Sequence, residues 1–221
     1  MTKESNAGLS KLRVLDVRRL TEDTAVLRFE RAFDFEPGQY VRVGLPGQEP
    51  LREYSLYSSV QDKDCEILLK EVQDGVLSPP LCDCLPGDLL VVEGPLGWFT
   101  LQPGDRASKR FVFVATGTGI SPFHSMVQSY PDLDYRLLHG VAYARELYEA
   151  AHFDPERLVS CVTREKRGRF PGRVTACLQT VEIEPDQLFY FCGNSEMIFE
   201  AFSLLRDRGV DEDRMHAEIY F

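Results

Sequence analysis

Two domains are predicted: an antiparallel six-stranded β-barrel over residues 1–106, then an α/β domain on a parallel sheet over residues 107–221. Three observations predict this. Up to about residue 100, short β-branched or alternating runs recur between Pro-Gly turns, with almost no helical periodicity. Beyond residue 107, continuous apolar runs alternate with stretches of helical period, the pattern of parallel strands buried on both faces. The length of 221 residues, 43% of them hydrophobic, is enough for one large core or two of about 100 residues each.

Barrel strands are expected at residues 13–17, 24–29, 39–43, 54–58, 66–72 and 88–93, punctuated by Pro37-Gly38, Pro46-Gly47 and Pro86-Gly87. One short helix is expected over 78–84, with Ser78 as N-cap and Pro79 at its first position. The polar, turn-rich segment 102–109 separates the halves. After it, an apolar strand at 111–115 leads into Gly117-Thr118-Gly119 and a helix that begins near Ser121-Pro122 and stops before Pro131. Strands at 135–139, 158–163 and 188–192 are each followed by a helical stretch, at 145–152, 173–179 and 195–208.

Composition excludes several classes. A formal charge of −10 argues against nucleic acid as the main partner, while leaving room for a local basic patch around Arg145, Arg164, Lys166, Arg167, Arg169 and Arg173. No stretch approaches the ~20 apolar residues of a membrane span, and residues 1–10 carry neither an apolar core segment nor a cleavage site, so a soluble, cytoplasmic protein is expected. The six cysteines have no regular framework, which predicts reduced thiols. Cys82 and Cys84 lack a matching second pair for zinc, and the four-cysteine spacing of a plant-type iron–sulfur cluster is absent. No metal site is expected, and a redox centre here has to be a bound organic cofactor.

The segment Arg52-Glu53-Tyr54-Ser55 follows a strand and a turn. Arginine suits a pyrophosphate through its donor fork, tyrosine offers a flat ring to stack on an isoalloxazine, and the serine hydroxyl suits a flavin nitrogen. Alone, the segment reads equally well as an amphipathic strand with two surface charges, Arg52 and Tyr54 facing one way and Glu53 and Ser55 the other. Its company favours the first reading. Phe35-Glu36-Pro37-Gly38-Gln39-Tyr40-Val41 precedes it, and Asp74-Gly75-Val76-Leu77-Ser78-Pro79 follows as a glycine turn opening onto a helix start, where free amides favour phosphate.

Together these motifs resemble the ferredoxin–NADP reductase family, especially its bacterial flavodoxin/ferredoxin branch, over nearly the whole chain. The resemblance implies FAD, with Arg52 on its pyrophosphate, Tyr54 packed on the flavin, Ser55 at the hydride-accepting nitrogen, and Gly75, Val76, Leu77 and Ser78 holding phosphate. Gly94-Pro95-Leu96-Gly97-Trp98-Phe99 matches a family turn closing the barrel, and a tight turn with core aromatics accounts for it.

Ala115-Thr116-Gly117-Thr118-Gly119-Ile120 joins a buried strand to a helix, so that backbone can approach a dinucleotide pyrophosphate. A third glycine at the Rossmann spacing is missing, and a plain strand-to-helix turn looks similar. Phe191-Cys192-Gly193-Asn194 ends another strand. A buried cysteine at a strand end is the bland reading, whereas the resemblance places Cys192 and Gly193 beside the nicotinamide. It also implies that Arg164 and Arg173 bind the 2′-phosphate of NADPH. Bacterial relatives often carry a further arginine where this chain has Ala142, with Arg145 three residues later, so NADH stays open. At the C-terminus, in His216-Ala217-Glu218-Ile219-Tyr220-Phe221, the resemblance puts Glu218 near the flavin edge with Ser55 and Cys192, and Tyr220 or Phe221 over the flavin or its adenine.

The function so implied is an FAD-dependent reductase, expected to be monomeric, that moves electrons between NADPH and ferredoxin or flavodoxin. Two alternatives are an NADH-dependent reductase serving an oxygenase or free flavin, and a flavin-binding module without turnover.

Overall fold

A computed structural model describes residues 8–220. Its backbone divides into two compact units, one of Met1–Thr100 with His124–Ser129 and one of Leu101–Phe123 with Tyr130–Phe221.

The first unit is a six-stranded antiparallel barrel. Its strands are β1 (Leu9–Arg19), β2 (Thr24–Phe29), β3 (Tyr40–Gly44), β4 (Arg52–Ser55), β5 (Cys65–Lys70) and β6 (Leu89–Leu96), in the order β4-β3-β6-β1-β2-β5. A bridge between Leu56 and Ile67, with the Tyr57 amide donating to the Glu66 carbonyl at 2.8 Å, joins the two edges. Side chains alternate with a period of two, so Leu12 and Val14, Ala25, Leu27 and Phe29, Val41 and Val43, Ile67 and Leu69, Leu90 and Val92 share one core. Helix α1 (Ser78–Cys82) adds Leu81 and Cys82 to that core, with Leu77 just ahead of it. His124–Ser129 packs beside the segment after β4. The ring of His124 stacks on Tyr57 at 3.7 Å and its Nδ1 meets the Tyr57 carbonyl at 2.7 Å, while Ser125 Oγ donates to the Ser58 carbonyl at 2.6 Å.

The second unit is a parallel sheet in the order β10-β9-β8-β7-β11-β12. Its strands are β7 (Arg110–Thr116), β8 (Tyr135–Val141), β9 (Leu158–Val162), β10 (Phe170–Pro171), β11 (Gln187–Asn194) and β12 (Met215–Tyr220). Val112, Val114, Leu138, Phe189 and Phe191 face a core shared with α4 (Val174–Gln179) and α5 (Ser195–Asp207). On the opposite face Phe113 stacks on Phe123 at 4.6 Å, at the start of α3 (Ser121–Ser129), and meets Tyr190 edge-on at 6.2 Å. Among the described residues no helix is long and apolar enough to cross a membrane.

The structure departs from the sequence expectations in several places. The predicted helix at 145–152 is two 3-10 turns, Ala144–Glu146 and Ala150–His152. The Glu146 carboxylate folds back onto the amides of Ala142 and Tyr143, and Glu149 takes a left-handed conformation that stops helical propagation. Leu77, not Ser78, is the N-cap of α1, because the Ser78 hydroxyl oxygen accepts from the Val72 amide at 3.0 Å. Strand β4 ends at Ser55, and both Arg52 and Glu53 are exposed, so strict alternation fails at this edge strand. The separating segment contains a helical turn, α2 (Pro103–Arg106). Strand β10 had no apolar run to announce it. In the turn after β6, Phe99 is buried as expected of a core aromatic but Trp98 is 92% exposed.

Truncating the barrel seam should be costly. Ile67→Ala is expected to lower stability by about 2–5 kcal/mol in chemical denaturation, since the side chain is fully buried where the edges meet.

Candidate functional site

In the barrel unit, register sets the positions. Tyr40 pairs with Ser55 on one side and with Leu96 on the other, so Ser55 sits at the start of β3, 3% exposed. One residue earlier, the half-buried Tyr54 ring lies against the barrel core. Its hydroxyl is pushed up to about 12, chiefly by burial and then by nearby Cys82, with Arg52 opposing both. Ring, guanidinium and helix α1 are therefore neighbours.

The loop before α1 is folded on itself by the Gly75 amide, which donates to the Val72 carbonyl at 2.8 Å. The next three amides, of Val76, Leu77 and Ser78, donate to no described residue, and Val76 is 80% exposed. The Arg52 guanidinium forms no ion pair or hydrogen bond with a described residue. Three open amides, an uncommitted guanidinium and a flat phenol in one unit are the donor and ring types that a pyrophosphate joined to an aromatic ring system needs.

In the sheet unit the site begins where β7 ends. Thr116 leads into a 3-10 turn, Gly117–Ile120, before α3. The turn lies so close to the end of β11 that a Cβ on Gly119 would stand 2.3 Å from the Cys192 carbonyl oxygen, and one on Gly193, at φ 128°, 2.4 Å from Thr116 Oγ1. Thr116 Oγ1 accepts from the Asn194 amide at 3.0 Å, and Asn194 Oδ1 in turn caps α5 by accepting from the Met197 amide at 3.2 Å. His139, on the neighbouring strand, was not picked out from the sequence. It is 1% exposed, with Nε2 at 2.9 Å from the Gly117 carbonyl oxygen. Burial lowers its pKa from the ordinary 6.5 to about 4, so the ring is neutral and donates its Nε2 proton to that carbonyl.

Cys192 is fully buried, paired with Ala115 of β7 and Glu218 of β12. Burial, then the charge of Glu218, raises its thiol well above the ordinary value, opposed by hydrogen bonds from Tyr220 and the Gly193 backbone. The structure thus gathers Thr116, Gly117, Thr118, Gly119, Cys192, Gly193, Glu218 and Tyr220 at one sheet edge; Phe221 lies outside the described residues. Arg164 stands apart on the loop after β9, where its guanidinium donates to the Tyr143 hydroxyl at 3.4 Å. Arg173, at the N-cap of α4, pairs with Glu200 at 2.9 Å.

Known proteins share both units. Residues 11–101 match the oxidoreductase FAD-binding domain and residues 113–201 the oxidoreductase NAD-binding domain. The flavodoxin/ferredoxin–NADP reductase of Escherichia coli is 31% identical over an alignment that takes in 74% of this chain and 76% of that protein. The chain belongs to the ferredoxin–NADP reductase family. A ferredoxin NADP+ reductase from Neisseria gonorrhoeae, solved with bound FAD and NADP, shares its fold with a TM-score of 0.87 at 23% identity, covering 98% of this chain and all of that one. The toluate 1,2-dioxygenase electron transfer component of Pseudomonas putida is 26% identical over 93% of this chain, which spans 66% of that protein's length. Family membership brings an FAD-binding domain and an NAD-binding domain, and the open donors found above lie within them.

Two outcomes are expected. Gly193→Ala forces a side chain into Thr116 at a left-handed φ, so thermal unfolding should shift down and binding of a nicotinamide dinucleotide be lost. For His139 the folded pKa is depressed, so its contribution is complete above about pH 6.5 and is lost as pH falls through 4. The acid limb of stability should steepen over that window by roughly 3 kcal/mol, and His139→Gln, which keeps a donor but takes up no proton, should flatten it in pH-dependent denaturation.

Proposed function

We propose that this chain is an FAD-bearing reductase that exchanges electrons between NADPH and a ferredoxin or flavodoxin. The observation that carries the reading is the presence, in one chain, of a pyrophosphate-and-ring seat on the barrel and a glycine-backed dinucleotide edge on the sheet. When bound, the flavin supplies the redox chemistry, since it takes hydride from a nicotinamide and returns electrons one at a time.

The protein's share is binding and orientation. Arg52 and the amides of Val76, Leu77 and Ser78 bind the FAD pyrophosphate, with Gly75 setting the turn. Tyr54 packs its ring against the isoalloxazine, and Ser55 directs its hydroxyl to the redox edge. On the sheet unit, the 116–119 turn takes the nicotinamide dinucleotide's pyrophosphate, and the His139 proton on the Gly117 carbonyl keeps that turn in shape. Gly193 leaves room for backbone approach. The Cys192 thiol keeps its proton at neutral pH and borders the nicotinamide. Glu218, level with Cys192 on the adjoining strand, sets the charge there. Arg164 and Arg173 are the family positions for the 2′-phosphate.

A second reading, an NADH-linked reductase serving an oxygenase, is favoured by Ala142 and by the match to the toluate dioxygenase component over 93% of the chain.

Purified protein loaded with FAD and mixed anaerobically with NADPH should lose its oxidised-flavin absorption, faster than with NADH, and should then reduce ferredoxin or flavodoxin. A faster response to NADH turns the assignment to the second reading, flavin that stays oxidised with both nucleotides leaves an inert module, and protein that takes up no flavin ends the proposal. Arg52→Ala should weaken FAD retention by about 10- to 100-fold, the size of one charge-assisted hydrogen-bond set, measured as flavin lost on dialysis.

A further inference from the structure

Strand β12 is the last in its sheet, so among the described residues no strand lies beyond it. Helix α5 packs on β11 and β12. Alternate residues of β12, Met215, Ala217 and Ile219, turn to the α5 side, and with Ile198 and Phe202 they line an apolar groove of about 340 Å³. On its bank the ring of Phe199 is 65% exposed. A single exposed apolar side chain is ordinary, but a phenyl ring beside an apolar groove makes a continuous patch.

The outer face of α5 shows what shape of partner fits. Glu196, Phe199, Ser203 and Arg206 are all exposed and follow one another at steps of three, four and three residues, so they form one stripe. That spacing reads the same from either end. The two charges stand about 15 Å apart along the axis at 1.5 Å per residue, with the ring and the hydroxyl between them. Neither Glu196 nor Arg206 forms an ion pair with a described residue, whereas Glu200, beside the stripe, is held by Arg173 at 2.9 Å. A copy of the stripe turned end for end sets its Arg206 against Glu196 and its Ser203 against Phe199, each pair occurring twice. Laid parallel, the same two stripes set like charge on like charge. A face with one carboxylate and one guanidinium placed symmetrically about an apolar centre is its own complement.

We propose that the α5 and β12 face is the interface of a two-fold homodimer, with the two α5 helices antiparallel and Glu196 of each chain paired with Arg206 of the other. Phe199 from both chains closes over the grooves. The dimer replaces the monomer expected from the sequence. None of these residues is among those assigned to FAD or to the nicotinamide dinucleotide, so the inference is independent of the reductase reading.

Sedimentation velocity of the full chain over a concentration series should show a reversible dimer with Kd on the order of 10 µM, in keeping with a small specific interface. Phe199→Asp should weaken it by about 100-fold or more, with thermal unfolding little changed because the ring is already 65% exposed. Glu196→Arg and Arg206→Glu should each weaken it by about 10-fold, since each creates a like-charge contact at both ends. The two swaps together should return Kd to within about 3-fold of the native value. Both swaps also reverse charges that suit the ends of α5, so a small drop in thermal midpoint is expected in the single and the double variants alike. Only the cross-chain pairing predicts that the double variant regains the dimer. A native chain that stays monomeric at about 1 mM overturns the proposal and leaves the groove to an occupant other than a second copy. A dimer that survives Phe199→Asp, or a double variant no tighter than the single ones, overturns this face or this pairing.

Discussion

Backbone touches backbone where β7 and β11 end, and the sheet unit's ligand edge depends on that contact. Gly119 lies under the Cys192 carbonyl and Gly193 against Thr116, at distances that leave no room for a Cβ on either. A turn this close needs its polar groups satisfied locally, and the Thr116 hydroxyl does so by accepting the Asn194 amide. The same contact fixes the start of α5 through Asn194, and His139 pins the Gly117 carbonyl from the neighbouring strand. With those groups committed inward, the turn is held by two strands and a buried histidine rather than by its own loop conformation. Preorganisation of this kind lowers the ordering cost of binding a long, flexible dinucleotide.

The barrel seat is built on the opposite logic. Its cationic and amide donors are left open, and what surrounds them is committed instead: Ser78 gives its hydroxyl oxygen to Val72, Gly75 closes the loop, and Tyr54 rests on the core. A chain with 35 acidic against 25 basic residues repels phosphate at long range. Attraction has to come from cations that carboxylates have not already neutralised. Arg52, Arg145 and Arg164 answer that description, whereas Arg110, clasped by Glu184 at 2.7 Å and Asp186 at 2.8 Å, belongs to the scaffold.

What the sequence disclosed follows from which signals are local. Short apolar and β-branched runs such as 24–29 and the continuous apolar run 111–115 gave strands close to those observed, because burial writes itself directly into residue order. The helix expected at 145–152 failed because its breaking is not local composition: Glu146 is drawn back to amides upstream, and Glu149 adopts a positive φ that its neighbours do not announce. Ser78 looked like a cap for the same reason, its hydroxyl having a better partner six residues earlier. His139 stayed hidden because its partner, the Gly117 carbonyl, lies in the turn after a different strand, which no spacing rule connects to it.

Cys192 shows how environment rather than residue type selects a role. A cysteine in a reductase invites a thiolate, yet full burial and the neighbouring charge of Glu218 both oppose ionisation of Cys192, and the hydrogen bonds from Tyr220 and Gly193 only partly offset them. The thiol therefore stays neutral at physiological pH and is a poor nucleophile. What it offers is a small, polarizable surface at the end of β11, on a backbone that Gly119 and Gly193 hold against Thr116. A serine there would bring a stronger hydrogen-bonding group into the same burial, and an alanine would vacate the volume that the Tyr220 hydroxyl now meets. Under the proposed function the side chain acts as a neutral spacer rather than as a nucleophile.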